Sequence, residues 1–309
     1  MAFNEQSHGV YVIAPTPFQP DGTVDTPSID SMMDFYLRCG VAGITVLGIM
    51  GEAPKLEPAE SLAIVQQVIA RAAGRPVIVG VSAPGFAGMR SLAHASMDAG
   101  AAGVMIAPPP SLRTDEQITT YFRQAVEAIG ADIPWVLQDH PLMLSVVMTP
   151  KVIRQIIQDH PSCRMLKHED WPGLEKISAL RGFEQDGSMR HVSILCGNGG
   201  LFLDFELGRG ADGGMTGYAF PDMLVELVER HRRGDRDGVH DLFDAHLPFL
   251  RYEHQTGPGL AVRKYVLMRR GAIRHDIQRK PGSALTSAAR AEVDYLLARL
   301  ARRDSRAAI

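Results

Sequence analysis

One alternation constrains this chain more than any other feature. Eight short apolar runs, at 10–14, 43–47, 76–80, 103–107, 134–138, 163–167, 192–196 and 213–216, read as strands. Between them lie helical patterns at 26–39, 57–73, 88–99, 115–129, 149–159, 173–181 and 201–207. Strands alternating with longer helices are the signature of βαβ units. The runs are apolar on both faces, as parallel strands covered by helices require. Thr26 and Thr114 stand where helix caps belong, and Gly40, Gly74, Gly100 and Gly130 where helices stop. Eight such units close most simply as a (β/α)8 TIM barrel, here assigned to residues 1–220. An open doubly wound sheet would leave the last strands without a switch-point crevice. From 221 to 309 no strand pattern appears. Helices are expected at 224–232, 235–250, 259–270 and 287–302, as a C-terminal helical extension. The tail at 303–309 is expected to fray.

The 309 residues carry a formal net charge of −3, which leaves no electrostatic footprint for nucleic acid. No apolar run approaches the roughly 18–20 residues of a membrane helix. The opening MAFNEQSHGV lacks a basic stretch followed by an apolar core, so no signal peptide is expected. Cys39, Cys163 and Cys196 are far apart and odd in number, which argues against a disulfide framework or a cysteine metal site. It argues for a reducing cytoplasm. No H-x-x-x-H, G-x-S-x-G, P-loop or dinucleotide fingerprint occurs, so neither a metal nor a nucleotide cofactor is expected.

A barrel enzyme works at the C-terminal ends of its strands. Only six of the 32 basic residues are lysines, and Lys167 closes the sixth strand run. Burial there favours the neutral amine, which a Schiff base with a carbonyl substrate requires. The alternatives are an amine reaching the rim or one paired with Glu169 or Glu52. Gly48-Ile49-Met50-Gly51-Glu52, after the second strand, reads as a turn whose successive amides form a carboxylate nest. Within it Glu52 either moves protons or fastens neighbouring loops. Asp139-His140 and His168-Glu169-Asp170 supply metal-ligand residue types without metal-ligand spacing.

Pro15-Thr16-Pro17-Phe18, Asp21-Gly22, Asp25, the Gly48–Glu52 turn, Lys167 and Gly210-Ala211-Asp212-Gly213 occur in an order that resembles the dihydrodipicolinate synthase / N-acetylneuraminate lyase family. The likeness covers about residues 9–285. It implies a barrel with a helical extension and a covalent imine between Lys167 and a 2-oxo acid. It implies no cofactor, and a homo-oligomer, dimer or tetramer. By position, the Ile49 and Met50 amides would hold the substrate carboxylate and Gly197 would line the site.

Five positions depart from the family pattern. Gln138 stands where a proton-shuttling tyrosine is usual. Ile49 and Met50 replace two threonines, Pro110 a second tyrosine and Met143 a substrate-binding arginine. Gln138-Asp139-x-Pro141, Met215-Thr216-Gly217 and Glu253-His254-Gln255 instead resemble the L-2-keto-3-deoxyarabonate dehydratase subgroup. A dehydratase of a 2-keto-3-deoxy sugar acid is therefore expected. Lys167 would form the imine, Gln138 would hold water or a hydroxyl, and Glu52 would carry the proton, with His140 as second candidate. Thr216, Met215 and Asp139 would contact substrate. Alternatives are a pyruvate-releasing aldolase, a synthase-like condensing enzyme, a metal-dependent barrel lyase, or a binding protein that kept the barrel and lost the chemistry.

Overall fold

Each expected strand forms, the first seven because their runs are apolar enough to bury both faces at once and the eighth as a Gly-Gly pair shorter than its expected span. In the computed structural model, which describes residues 3–171 and 173–309, the strands are β1 (Gly9–Ile13), β2 (Gly43–Val46), β3 (Val77–Gly80) and β4 (Gly103–Ile106). They continue as β5 (Trp135–Asp139), β6 (Cys163–His168), β7 (Ser193–Cys196) and β8 (Gly213–Gly214). All pair in parallel with their sequence neighbours, and β8 returns to β1 to close the barrel. At that seam Gly9 lies opposite Gly213, and a Cβ on Gly213 would run into the Gly9 carbonyl. Closure therefore needs a residue without a side chain there. The chain is a (β/α)8 barrel.

Helices α1 (Thr26–Arg38), α2 (Pro58–Arg71), α3 (Phe86–Asp98) and α4 (Asp115–Ile129) follow the first four strands. A short α5 (Pro141–Leu144) precedes α6 (Pro150–Asp159), and then come α7 (Leu174–Gln185) and α8 (Leu203–Gly208). Thr114 caps α4 by accepting from the Gln117 amide, while Gln117 reaches back to the Thr114 amide. At α1 the cap is Asp25, not Thr26, which is the first helical residue.

The extension differs from expectation in two respects. Helix α9 (Pro221–Arg232) packs on β1 and β8, so it completes the ring of barrel helices rather than opening the extension. The added layer is α10 (Arg236–Glu253), α11 (Gly259–Arg269) and α12 (Ser287–Leu300). The tail does not fray. Ala307 is buried, Asp304 accepts from His246 Nε2 at 3.0 Å, and Arg306 pairs with Asp304 and Glu226. These contacts hold a segment whose polar composition alone predicts disorder.

Two cores form, because side chains alternate across each strand. Tyr11, Ile13, Ile78, Met105, Val136, Met165, Leu195 and Met215 fill the barrel interior. The other strand faces pack against the helices in one continuous cluster. The alternation decides the site. With Met165 inward, Lys167 also points in and His168 points out. With Val136 inward, Gln138 points in and Asp139 points out. Register sets Gln138 beside Lys167 and Asp139 beside His168.

Candidate active site

The C-terminal mouth of the barrel opens into a cleft of about 270 Å³. At its base Lys167 is buried, and its Nζ lies 3.1 Å from Glu169 Oε2. The same carboxylate oxygen accepts from Gln138 Nε2 at 2.7 Å and lies 3.5 Å from His140 Nδ1. Glu169 is placed by its backbone: its amide donates to the Asp139 carbonyl at 2.8 Å, and its carbonyl accepts from Asn198 Nδ2 at 2.9 Å. Burial pushes the Glu169 carboxyl up. Lys167, His140 and the Gln138 hydrogen bond outweigh it, and the group sits below the ordinary carboxylate value. Burial holds the His140 imidazole below its usual value despite Glu169, so it is neutral at pH 7.

The turn after β2 forms one wall. Ile49–Gly51 is a single 3-10 turn between two residues in the left-handed region, Leu47 and Glu52. Thr16 fastens it by donating to the Gly51 carbonyl at 2.6 Å. Met50 and Ile49 line the cleft, as do Met215 and Thr216 beyond β8. The amides of Ile49 and Met50 donate to no backbone carbonyl among the described residues. They are free for an anion, as a nest requires.

Three sequence-stated positions fall elsewhere. Glu52 does not face the cleft. Its side chain is 1% exposed and lies behind the turn, where Lys264 Nζ at 2.5 Å, Lys55 Nζ at 2.7 Å and the Arg279 amide at 3.2 Å hold it. It fastens the extension to the β2 turn and is out of reach of the Lys167 amine, so the proton-carrier role assigned to it does not fit. Asp139 is also turned away by strand alternation. It accepts from Lys176 Nζ at 2.8 Å, and Lys176 also reaches Asp170 at 2.6 Å. Asp139 cannot touch substrate from there. Gly197 stands behind the site rather than lining it, and a Cβ there would overlap the Glu169 side chain.

Other groups in the cleft have no catalytic or substrate-binding role in the sequence reading, which gives Glu169 only as an alternative partner of Lys167. Glu169 is one, although its spacing from Lys167 and the inward parity of 138 and 167 point to it. Asn198 and Gly199 follow β7. From the extension come Glu253, His254, Gln255 and Arg263, brought over the mouth by α10 and α11. Arg263 Nε donates to Glu253 Oε1 at 2.6 Å, and both side chains are almost wholly buried. Burial raises the Glu253 carboxyl. Burial, together with the Arg263 charge, lowers His254. No group of residues among those described could hold a metal ion.

A buried lysine thus stands at the end of β6 and lines the cleft. The model of the dihydrodipicolinate synthetase family matches residues 6–300. The chain belongs to this family. Dihydrodipicolinate synthetase-family enzymes use a lysine Schiff base with pyruvate and need no metal or other cofactor. They are lyases of the class I aldolase superfamily. Among curated relatives, the L-2-keto-3-deoxyarabonate dehydratase of Azospirillum brasilense is 27% identical over 94% of each chain. The 4-hydroxy-tetrahydrodipicolinate synthase of Chlorobium luteolum is also 27% identical, over 94% of this chain and 96% of that one. The crystal structure of a Rhodopseudomonas palustris dihydrodipicolinate synthase superposes with a TM-score of 0.96 at 68% identity. It covers 97% of this chain and 99% of its own.

Proposed function

We propose that this family member is a Schiff-base dehydratase of a 2-keto-3-deoxy sugar acid, acting in sugar-acid catabolism. The observation that carries the reading is the carboxylate at the amine: Glu169 lies 3.1 Å from Lys167, and no tyrosine lines the cleft among the described residues. Lys167 Nζ attacks the C2 carbonyl, water leaves, and a protonated imine forms. The imine acidifies C3, and Glu169 takes the C3 proton to give the enamine. The enamine electron pair then expels the C4 hydroxyl, which leaves as water after receiving the proton held by Glu169. Hydrolysis of the unsaturated imine frees Lys167 and yields the 3,4-unsaturated 2-oxo acid, which for a pentonate becomes the semialdehyde when one hydrogen from C5 and one from its hydroxyl are replaced by protons at C3 and C4. Gln138 has no useful pKa and serves by orienting Glu169 and a hydroxyl or water. Thr216 lines the cleft and offers a hydroxyl to substrate. The Ile49 and Met50 amides are set for its carboxylate.

The name of the Rhodopseudomonas palustris structure favours a second reading, a condensing synthase. That reaction needs proton transfer to a bound aldehyde and an anchor for a second carboxylate. Gln138 and Met50 offer no acid, Pro110 does not line the cleft, and Met143 at its rim is half-exposed and apolar. Aldol cleavage meets the same difficulty, because a base must take the C4 hydroxyl proton. We extend the reading to a homo-oligomer, a dimer or tetramer, in the cytoplasm. The exposed Leu142, Met143 and Val147 beside the mouth and three unpaired cysteines support it.

Borohydride trapping with product analysis tests the reading. With 2-keto-3-deoxypentonate, the reduced adduct should map to Lys167, and Lys167→Ala and Lys167→Arg should abolish adduct and turnover together. The product should be dehydrated, with little free pyruvate. Stoichiometric pyruvate plus an aldehyde would make the enzyme an aldolase, and an adduct on another lysine would refute the site.

A further inference from the structure

The cleft contains a second buried cation, and its donors are only partly used. Arg263 is 3% exposed and lines the same cavity as Lys167. A guanidinium presents five N–H donors. Nε is spent on Glu253 at 2.6 Å. Nη1 meets only the thioether of Met50, a weak acceptor. Nη2 has no acceptor among the described residues. Buried polar groups are ordinarily satisfied, and a buried charge more so. Here the side chain that carries the unused donors lines the cavity.

The position of those donors indicates their partner. The guanidinium lies on Gly217, where a Cβ would collide with it, close to the Ile13 carbonyl. It also touches Met50. It therefore sits beside the Ile49–Met50 turn, whose side chains are apolar and contribute only backbone amides. The other basic groups of the cleft are committed or neutral: Lys167 is paired with Glu169, and burial lowers both His140 and His254. An incoming 2-oxo acid brings one further negative charge, and Arg263 is the cation with donors to meet it.

With Lys167 forming the imine as proposed above, we infer that Arg263 anchors the carboxylate of the 2-oxo acid and sets the preference for acids over neutral carbonyl compounds. The carboxylate would replace the Met50 thioether against Nη1 and share the Ile49 and Met50 amides. Glu253 fixes the guanidinium through Nε and leaves the opposite edge free. The chain thus supplies from α11 the polarity that its β2 turn lacks. A charge-assisted contact of this type also resists replacement by lysine, whose ammonium has no planar fork.

The experiment compares pyruvate with methyl pyruvate as borohydride-trapping probes, read by intact mass, in the wild type and two variants. Arg263→Met combined with Glu253→Gln removes the guanidinium without leaving an unpaired buried acid. Arg263→Lys keeps Glu253 paired. Wild-type protein should prefer pyruvate. In the double variant, pyruvate trapping should fall about 10- to 100-fold while methyl pyruvate trapping is unchanged. Should the double variant fail to fold, Arg263→Lys gives the same comparison with a smaller fall. Equal falls with both probes, or an intact preference in a folded variant, would overturn the assignment. So would a KM increase confined to 2-keto-3-deoxypentonate with pyruvate trapping intact, which would place Arg263 at the far end of the substrate. Absence of any wild-type adduct removes the imine reading and this one with it. An adduct whose preference ignores Arg263 removes this one alone.

Discussion

Two carboxylates near the barrel mouth are buried and paired with amines, Glu169 with Lys167 and Glu52 with Lys264 and Lys55, yet their loss should have opposite consequences. Glu169→Gln keeps the size of the side chain and an oxygen to accept from Gln138, so the fold should tolerate it. What disappears is the base 3.1 Å from the Lys167 amine. General-base help of this kind is worth ~10²–10⁴-fold. Glu52→Gln replaces the carboxylate shared by Lys264 at 2.5 Å and Lys55 at 2.7 Å with a neutral amide, whose single oxygen serves one ammonium while its NH2 faces the other, so the fully buried Lys264 ammonium loses its counter-charge. Breaking a buried pair from one side costs about 3–5 kcal/mol. The assay is exchange of the pyruvate methyl protons in D2O, followed by NMR, because exchange requires only the imine and a base at C3. For Glu169→Gln, borohydride should still trap the adduct while exchange slows by ~10²–10⁴-fold, with the melting temperature nearly unchanged. For Glu52→Gln, the melting temperature should drop and exchange per folded molecule should hold. Exchange in Glu169→Gln within about tenfold of wild type would refute the assignment of the base. A loss of exchange in folded Glu52→Gln would return the role to Glu52.

Two further outcomes follow from the same geometry. Gly197→Ala should displace the Glu169 side chain that it overlaps, slowing methyl exchange more than it lowers stability, and an unchanged rate in the folded variant would show that Glu169 need not be held there. Glu206, buried behind β6 and β7, is raised by burial to about 7 from an ordinary 4.5. The folded state therefore keeps a proton that the unfolded chain releases above 4.5. Stability from this group is full below that pH and is lost as pH rises through about 7, a difference of about 3 kcal/mol. Glu206→Gln should remove that slope, so urea midpoints should favour the variant at pH 8 and converge with wild type near pH 4.5. Parallel curves would contradict the shift.

The barrel was legible because its strands are short, apolar on both faces and evenly interrupted by helices, so local pattern and closed topology agree. The amine was legible for the same reason: Cys163–Lys167 feeds a lysine into a mouth where lysines are rare. What the linear reading missed is parity. Gln138 and Asp139 are adjacent in sequence, yet one faces substrate and the other Lys176. Counting by twos from Val136 and Met165 would have turned Asp139 and His168 outward and brought Glu169, two residues beyond Lys167, toward the cleft. Glu52 misled because its turn lines the site while its side chain does not. The left-handed backbone at Glu52 sends the carboxylate back to Lys264, more than 200 residues away. Arg263 had no local signal at all, and Glu253 stood out only as part of the Glu253-His254-Gln255 resemblance, since the place of both depends on how α10 and α11 cross the barrel.

The position of Glu169 also bears on which bond breaks. A base within hydrogen-bond reach of the imine nitrogen is near C3, because C3 is bonded to the imine carbon. The C4 hydroxyl hydrogen is two bonds further along the chain. Cleavage of C3–C4 must begin at that hydroxyl, and the side chain at the usual position of its base is Gln138, which cannot accept a proton. Dehydration begins at C3 instead, where Glu169 stands. Having taken the C3 proton, the carboxyl group can only give a proton to the C4 oxygen and not take one, so the enamine loses water rather than breaking C3–C4. One carboxylate thus serves both halves of the elimination, as base and then as acid, and no separate relay is required. The Lys167 and Gln138 contacts that hold Glu169 below the usual carboxylate range keep it ionised for the first half. Once the C3 proton has left and the imine charge is neutralised in the enamine, that electrostatic hold weakens and proton affinity rises for the second.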